Sequence, residues 1–74
     1  MRMDNGMRKY NAIITRIQRE LNGRLEQYAH EAFGEPYRDV MRRLVIRHMN
    51  KPVGDAASHV MRVMAFRTME KQSM

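Results

Sequence analysis

No cysteine occurs in the 74 residues, so neither a disulfide nor a thiolate metal site can supplement the core. That absence suits a reducing compartment, and a cytoplasmic protein is the expectation. Long apolar runs are missing too. No stretch approaches the roughly 20 apolar residues of a membrane span, and the first seventeen residues lack an apolar run of signal-peptide length. We therefore expect a soluble chain with no membrane partner. Catalytic apparatus is equally sparse. Ser58 and Ser73 sit in no nucleophile motif, the acidic residues are dispersed, and no phosphate-binding glycine loop occurs. His30, His48 and His59 show no i, i+4 pairing that would suggest a metal site. Neither an enzyme nor a cofactor is expected.

Lysine is also scarce. Lys9, Lys51 and Lys71 are the only three, against eleven arginines, in a total of 14 basic and 8 acidic residues and a formal charge of +6. Arginine suits bidentate contact with phosphate or carboxylate better than lysine does. The excess is uneven: Pro36–Lys51 holds five basic residues against Asp39 alone. An anionic partner follows, whether nucleic acid or an acidic protein surface.

The apolar residues of Pro36–Asn50 recur with helical period. Tyr37, Val40, Met41, Leu44, Val45, His48 and Met49 form one stripe. A helix from Pro36, in its first position, to about Met49 is predicted. On its wheel Arg38 and Arg42 lie on one shoulder of the stripe, Arg43 and Arg47 on the other. Asp39 and Ile46 point straight away from the core, with Asp39 spaced to pair with Arg42 and Arg43. His48 falls within the stripe and reads as a core histidine, hydrogen-bonded to tyrosine or backbone and kept neutral by desolvation.

Upstream, Tyr10, Ile13, Ile14, Ile17, Leu21, Leu25, Tyr28 and Ala32 fall within a sector of roughly 120°. They predict one helix over Arg8–Ala32, with Arg16, Glu20 and Arg24 as an exposed ladder. Asn22-Gly23 is a local break signal, but the phase does not reset across it. One long helix with a soft point is the expectation, two shorter helices the alternative. Asp4 or Asn5 is placed to cap it, and residues 1–7 are expected to fray. Gly34 suits a left-handed helix end. Downstream, Asn50–Asp55 reads as a turn with Asp55 as N-cap, followed by a third helix over about Ala56–Lys71 and a frayed 72–74. There Ala57, Val60, Met61, Met64 and Ala65 share a face, while Val63, Phe66 and Met69 point elsewhere. The whole reads as one all-α domain, a compact bundle of three helices with short connectors. Below about 80 residues such a core is modest, and a homodimer is a further option.

Two functional readings follow. Brevity, arginine bias and the lack of catalytic apparatus resemble the small accessory regulators of phages and plasmids, a likeness of composition alone. In the first reading the chain is a non-enzymatic transcription regulator binding DNA through the second helix. Arg38, Arg42, Arg43 and Arg47 would contact phosphates and some bases, Ile46 a thymine methyl, and Arg8, Lys9 and Lys51 would assist. Gly34 could open a helix-turn-helix, with Ala29 and Val40 near its buried positions, although His30 stands where alanine is usual. Ribbon-helix-helix, zinc-finger and RRM patterns are absent. In the second reading the chain is an inhibitor or adaptor docking on the acidic surface of a large protein machine, such as host RNA polymerase. Its anchors would be Ile46, Phe66 and Met69.

Overall fold

The computed structural model describes residues 3–73, with side chains from residue 6 onward. Four α-helices follow in order: α1 Met3–Glu20, α2 Leu25–Phe33, α3 Tyr37–Ile46 and α4 Val53–Gln72. No strand occurs among the described residues, and none of the helices is long and apolar enough to cross a membrane. The all-α bundle is as expected; the helix count is four rather than three.

The extra helix comes from Asn22-Gly23, where the long helix expected over Arg8–Ala32 ends and restarts. Both residues adopt positive φ, 55° and 78°. The Gly23 N–H donates to Gln18 O at 2.7 Å and the Asn22 N–H to Arg19 O at 3.3 Å, the paired bonds of a Schellman end. The Gln18 side chain then accepts from the Leu25 N–H at 3.4 Å, covering one of the open donors of α2. Apolar spacing does not register this break, because Leu21 and Leu25 flank it in phase. The ladder is cut with it: Arg16 pairs with Glu20 at 3.2 Å, while Arg24 lies beyond the helix end.

Other boundaries move for related reasons. Pro36 is the N-cap of α3 rather than its first helical residue, and Pro52, expected within a turn, is the N-cap of α4, each with φ −57° and an extended ψ. The locked proline φ suits that half-in position, and the Pro52 carbonyl accepts from Ala56 N–H at 2.9 Å. Asp55 is therefore not the N-cap of α4 but lies in its first turn, where its charge favours the helix dipole. Helix α1 runs back through Asp4 and Asn5, so neither caps it; residues 3–7 are helical, and residues 1–2 of the terminus expected to fray lie outside the described residues. Helix α4 runs through Gln72 and the Ser73 hydroxyl donates to Met69 O at 2.8 Å, while Met74, the last residue of the end expected to fray, lies outside the described residues. Gly34 holds the left-handed position at the end of α2, its N–H donating to His30 O. Past Ile46 the chain tightens into three-residue turns, with His48 N–H donating to Val45 O and Lys51 N–H to His48 O.

Helix α4 packs against all three others, whereas α1 and α2 scarcely touch. Its Ala56, Ala57, Val60 and Met64 meet Ile13 and Ile17 of α1, Leu25, Ala29 and Ala32 of α2, and Val40, Met41, Leu44 and Val45 of α3 in one buried cluster. Four alanines in that set let helices approach closely. No polar side chain is buried among the described residues, so apolar burial supplies most of the stability. Packing fixes α3 by one stripe and leaves its other three sides outward.

Candidate nucleic-acid interface

Burial of Val40, Met41, Leu44 and Val45 dictates where the rest of α3 points. Arg38, Arg42, Arg43 and Arg47 are all exposed, as are Asp39 and Ile46, the last at 58%. The two shoulders have different neighbours.

On the first, Arg38 and Arg42 border a recess of about 310 Å³ between α1 and α3, together with Tyr10 of α1 and Tyr37 of α3. Both tyrosines are half-buried. Burial raises the Tyr10 pKa, against the pull of the Arg42 guanidinium, while Tyr37 adds a smaller push upward. The phenol of Tyr10 thus lies within electrostatic reach of both groups and stays protonated at neutral pH.

On the second shoulder Arg43 does not pair with Asp39. Its guanidinium donates two hydrogen bonds to Glu35 in the preceding turn, at 2.8 and 3.2 Å. The reason is geometric: Glu35 leaves the turn facing the fork end-on, and a bidentate pair outcompetes a lateral contact along the helix. Hydrogen bonding from Arg43 holds the Glu35 carboxyl below its usual pKa, and Glu35 raises that of Arg43. Arg43 and Arg67 also lie over the Phe33 ring, at 5.8 and 5.2 Å from its centroid. Among the described residues no carboxylate pairs with Arg38, Arg42 or Arg47.

At the far end of α3, His48 departs from the core-histidine expectation. It is half-buried and stacks on His59 of α4, ring centroids 4.9 Å apart and planes 14° from parallel. Its Nδ1 is buried without a hydrogen-bond partner, neither tyrosine nor backbone. Desolvation lowers its pKa, and the charges of His59, Lys51 and Arg47 lower it further. Arg47 and half-buried Lys51 thus gather around the histidine pair. Among the described residues no group of three or more potential ligands could hold a metal ion.

The remaining contact candidates are scattered. Arg8 is exposed and Lys9 half-buried near the start of α1, and neither lines the recess. Phe66 and Met69 are 62% and 63% exposed on α4. A larger recess, about 360 Å³, lies between α2 and α4. Leu21, Tyr28, Met61, Met64 and Ala65 line it, with Glu31 but no arginine, the wrong charge for phosphate.

Sequence reasoning placed the arginines but missed Tyr10 and Tyr37 as surface groups, because they occupy apolar stripes. The only signal was that each stands at the first position of its stripe, where a helix leaves the core. The connection from α2 to α3 spans three residues, opens on left-handed Gly34, and buries Ala29 and Val40 on either side. No family model, curated protein or solved structure matches this chain.

Proposed function

We propose that this is a small non-enzymatic transcription regulator that binds DNA through α3. One observation carries the reading. Arg38 and Arg42 stand exposed on the ten-residue α3 and Arg47 at its C-cap, all three without ion-pair partners among the described residues. Such cations release counterions from a phosphate backbone, which makes binding favourable and salt-sensitive. The short glycine turn before α3 supports its use as the helix entering a groove, with Ile46 in reach of a thymine methyl. The test is fluorescence anisotropy of a labelled DNA duplex at low salt. Saturable binding by the intact chain is expected, and no measurable affinity overturns the reading.

A second reading has its own support. Ile46, Phe66 and Met69 expose large apolar side chains beside arginines, the composition of an interface anchor with a charged rim. In that case the chain is an inhibitor or adaptor seated on an acidic protein surface, such as that of RNA polymerase. Retention of one stoichiometric protein from nuclease-treated extract, lost on Ile46→Glu, is the result that favours it over DNA.

A further inference from the structure

The recess between α1 and α3 has a chemistry that the arginine count of α3 does not explain. Two guanidinium groups, Arg38 and Arg42, two phenols, Tyr10 and Tyr37, and the amide of Asn11 line it together with apolar Ile14 and Met41. No carboxylate lines it. Every one of those five polar heads can donate a hydrogen bond, and the two guanidiniums only donate, while the phenols and the Asn11 amide can also accept. Because burial raises the Tyr10 pKa, its hydroxyl keeps its proton at neutral pH and remains a donor. Met41 is fully buried and Ile14 partly so, which fixes the walls independently of any ligand. A group of donors converging on a small recess matches an oxyanion with several acceptor positions. A phosphodiester meets that demand with one charge shared by two oxygens, the geometry that guanidinium forks recognise.

We propose that this recess is a phosphate subsite, seating one backbone phosphate of the nucleic acid that lies along α3. The assignment rests on the nucleic-acid reading of α3 and adds a register to it. Arg38 and Arg42 flank the phosphate, and the hydroxyls of Tyr10 and Tyr37 donate to its oxygens. Helix α1 thereby joins the interface, and the strand is fixed at the edge of α3 while Arg47 contacts it further along.

The experiment measures duplex DNA binding by the full chain for Tyr10→Phe, Tyr37→Phe, Arg42→Gln and Arg47→Gln, each confirmed as folded by circular dichroism. Inorganic phosphate is titrated in parallel against the wild type by NMR. Tyrosine-to-phenylalanine changes keep the rings and remove only the hydroxyls. Each is expected to weaken binding roughly tenfold, as for a hydrogen bond to a charged group. Arg42→Gln is expected to lower the log–log salt slope by about 0.9. If both phenylalanine variants bind like wild type while Arg47→Gln binds more weakly, the subsite is overturned and the α3 reading stands. If duplex does not bind but inorganic phosphate shifts the Tyr10, Tyr37 and Arg42 resonances, the recess is upheld as a phosphate site and nucleic acid is removed as its source. Failure of both arms overturns both.

Discussion

Glu35 and Arg43 meet end-on across the turn between α2 and α3, two guanidinium nitrogens on two carboxylate oxygens at 2.8 and 3.2 Å. The pair occupies one of the four arginines that give α3 its charge. Replacing Glu35 by Gln releases it. The expected result is a steeper salt dependence of DNA binding, by about 0.9 in the log–log slope, with little change in melting temperature, since both side chains are exposed. An unchanged slope contradicts it. The carboxyl pKa is lowered in the fold. The pair's contribution is therefore complete above the ordinary carboxylate range and lost as pH falls through the lowered value.

Gly23→Ala has an expected sign that depends on the helix break. In a continuous helix alanine would stabilise by about 1 kcal/mol. At φ 78° it is strained, and a loss of about 1 kcal/mol or more is expected. In a domain this size that is a fall of several degrees in melting temperature. A rise in melting temperature would show that α1 and α2 are one helix.

His48 gives a pH dependence of defined direction. Its pKa is lowered in the fold, so the unfolded chain takes up a proton first as pH drops. Stability is thus constant above the ordinary histidine pKa of about 6.5 and declines below it, toward the lowered folded value. Thermal melts between pH 7.5 and 5.5 should show this decline, and His48→Phe, which keeps a ring against His59, should flatten it. An NMR titration placing His48 at or above the ordinary value contradicts the assignment.

Two methionines separate core from surface. Met41 is fully buried and Met69 is 63% exposed. Met41→Ala should cost about 2–5 kcal/mol, enough to unfold much of so small a domain, and Met69→Ala under about 0.5 kcal/mol. Urea denaturation of the two variants reads the difference, and equal midpoints would contradict the packing of α3.

Residues with a uniform local period were legible in the sequence. Val40, Met41, Leu44 and Val45 repeat without interruption, so the buried stripe of α3 and the outward arginines followed directly. The break at Asn22-Gly23 was legible only to turn chemistry. Phase, which outweighed it, is blind to a break whose flanking leucines stay in register. Pro36 misled by one position because proline suits N-cap and first turn alike, and Asp55, a favoured N-cap residue, misled by three at the start of α4, where Pro52 takes the cap. Tertiary pairings had no local signature. Glu35 reaches Arg43 across a turn, His48 meets His59 from another helix, and Tyr10 reaches Tyr37 only once α1 lies along α3.

The most direct test of DNA binding through α3 is the salt dependence of duplex affinity for wild type against a combined Arg38→Gln, Arg42→Gln and Arg47→Gln variant. A linear log–log plot whose slope falls by about 2.7 in the variant, three phosphate contacts at roughly 0.9 each, is the expected result. Equal slopes in two folded proteins, or no duplex binding by wild type at low salt, would contradict it.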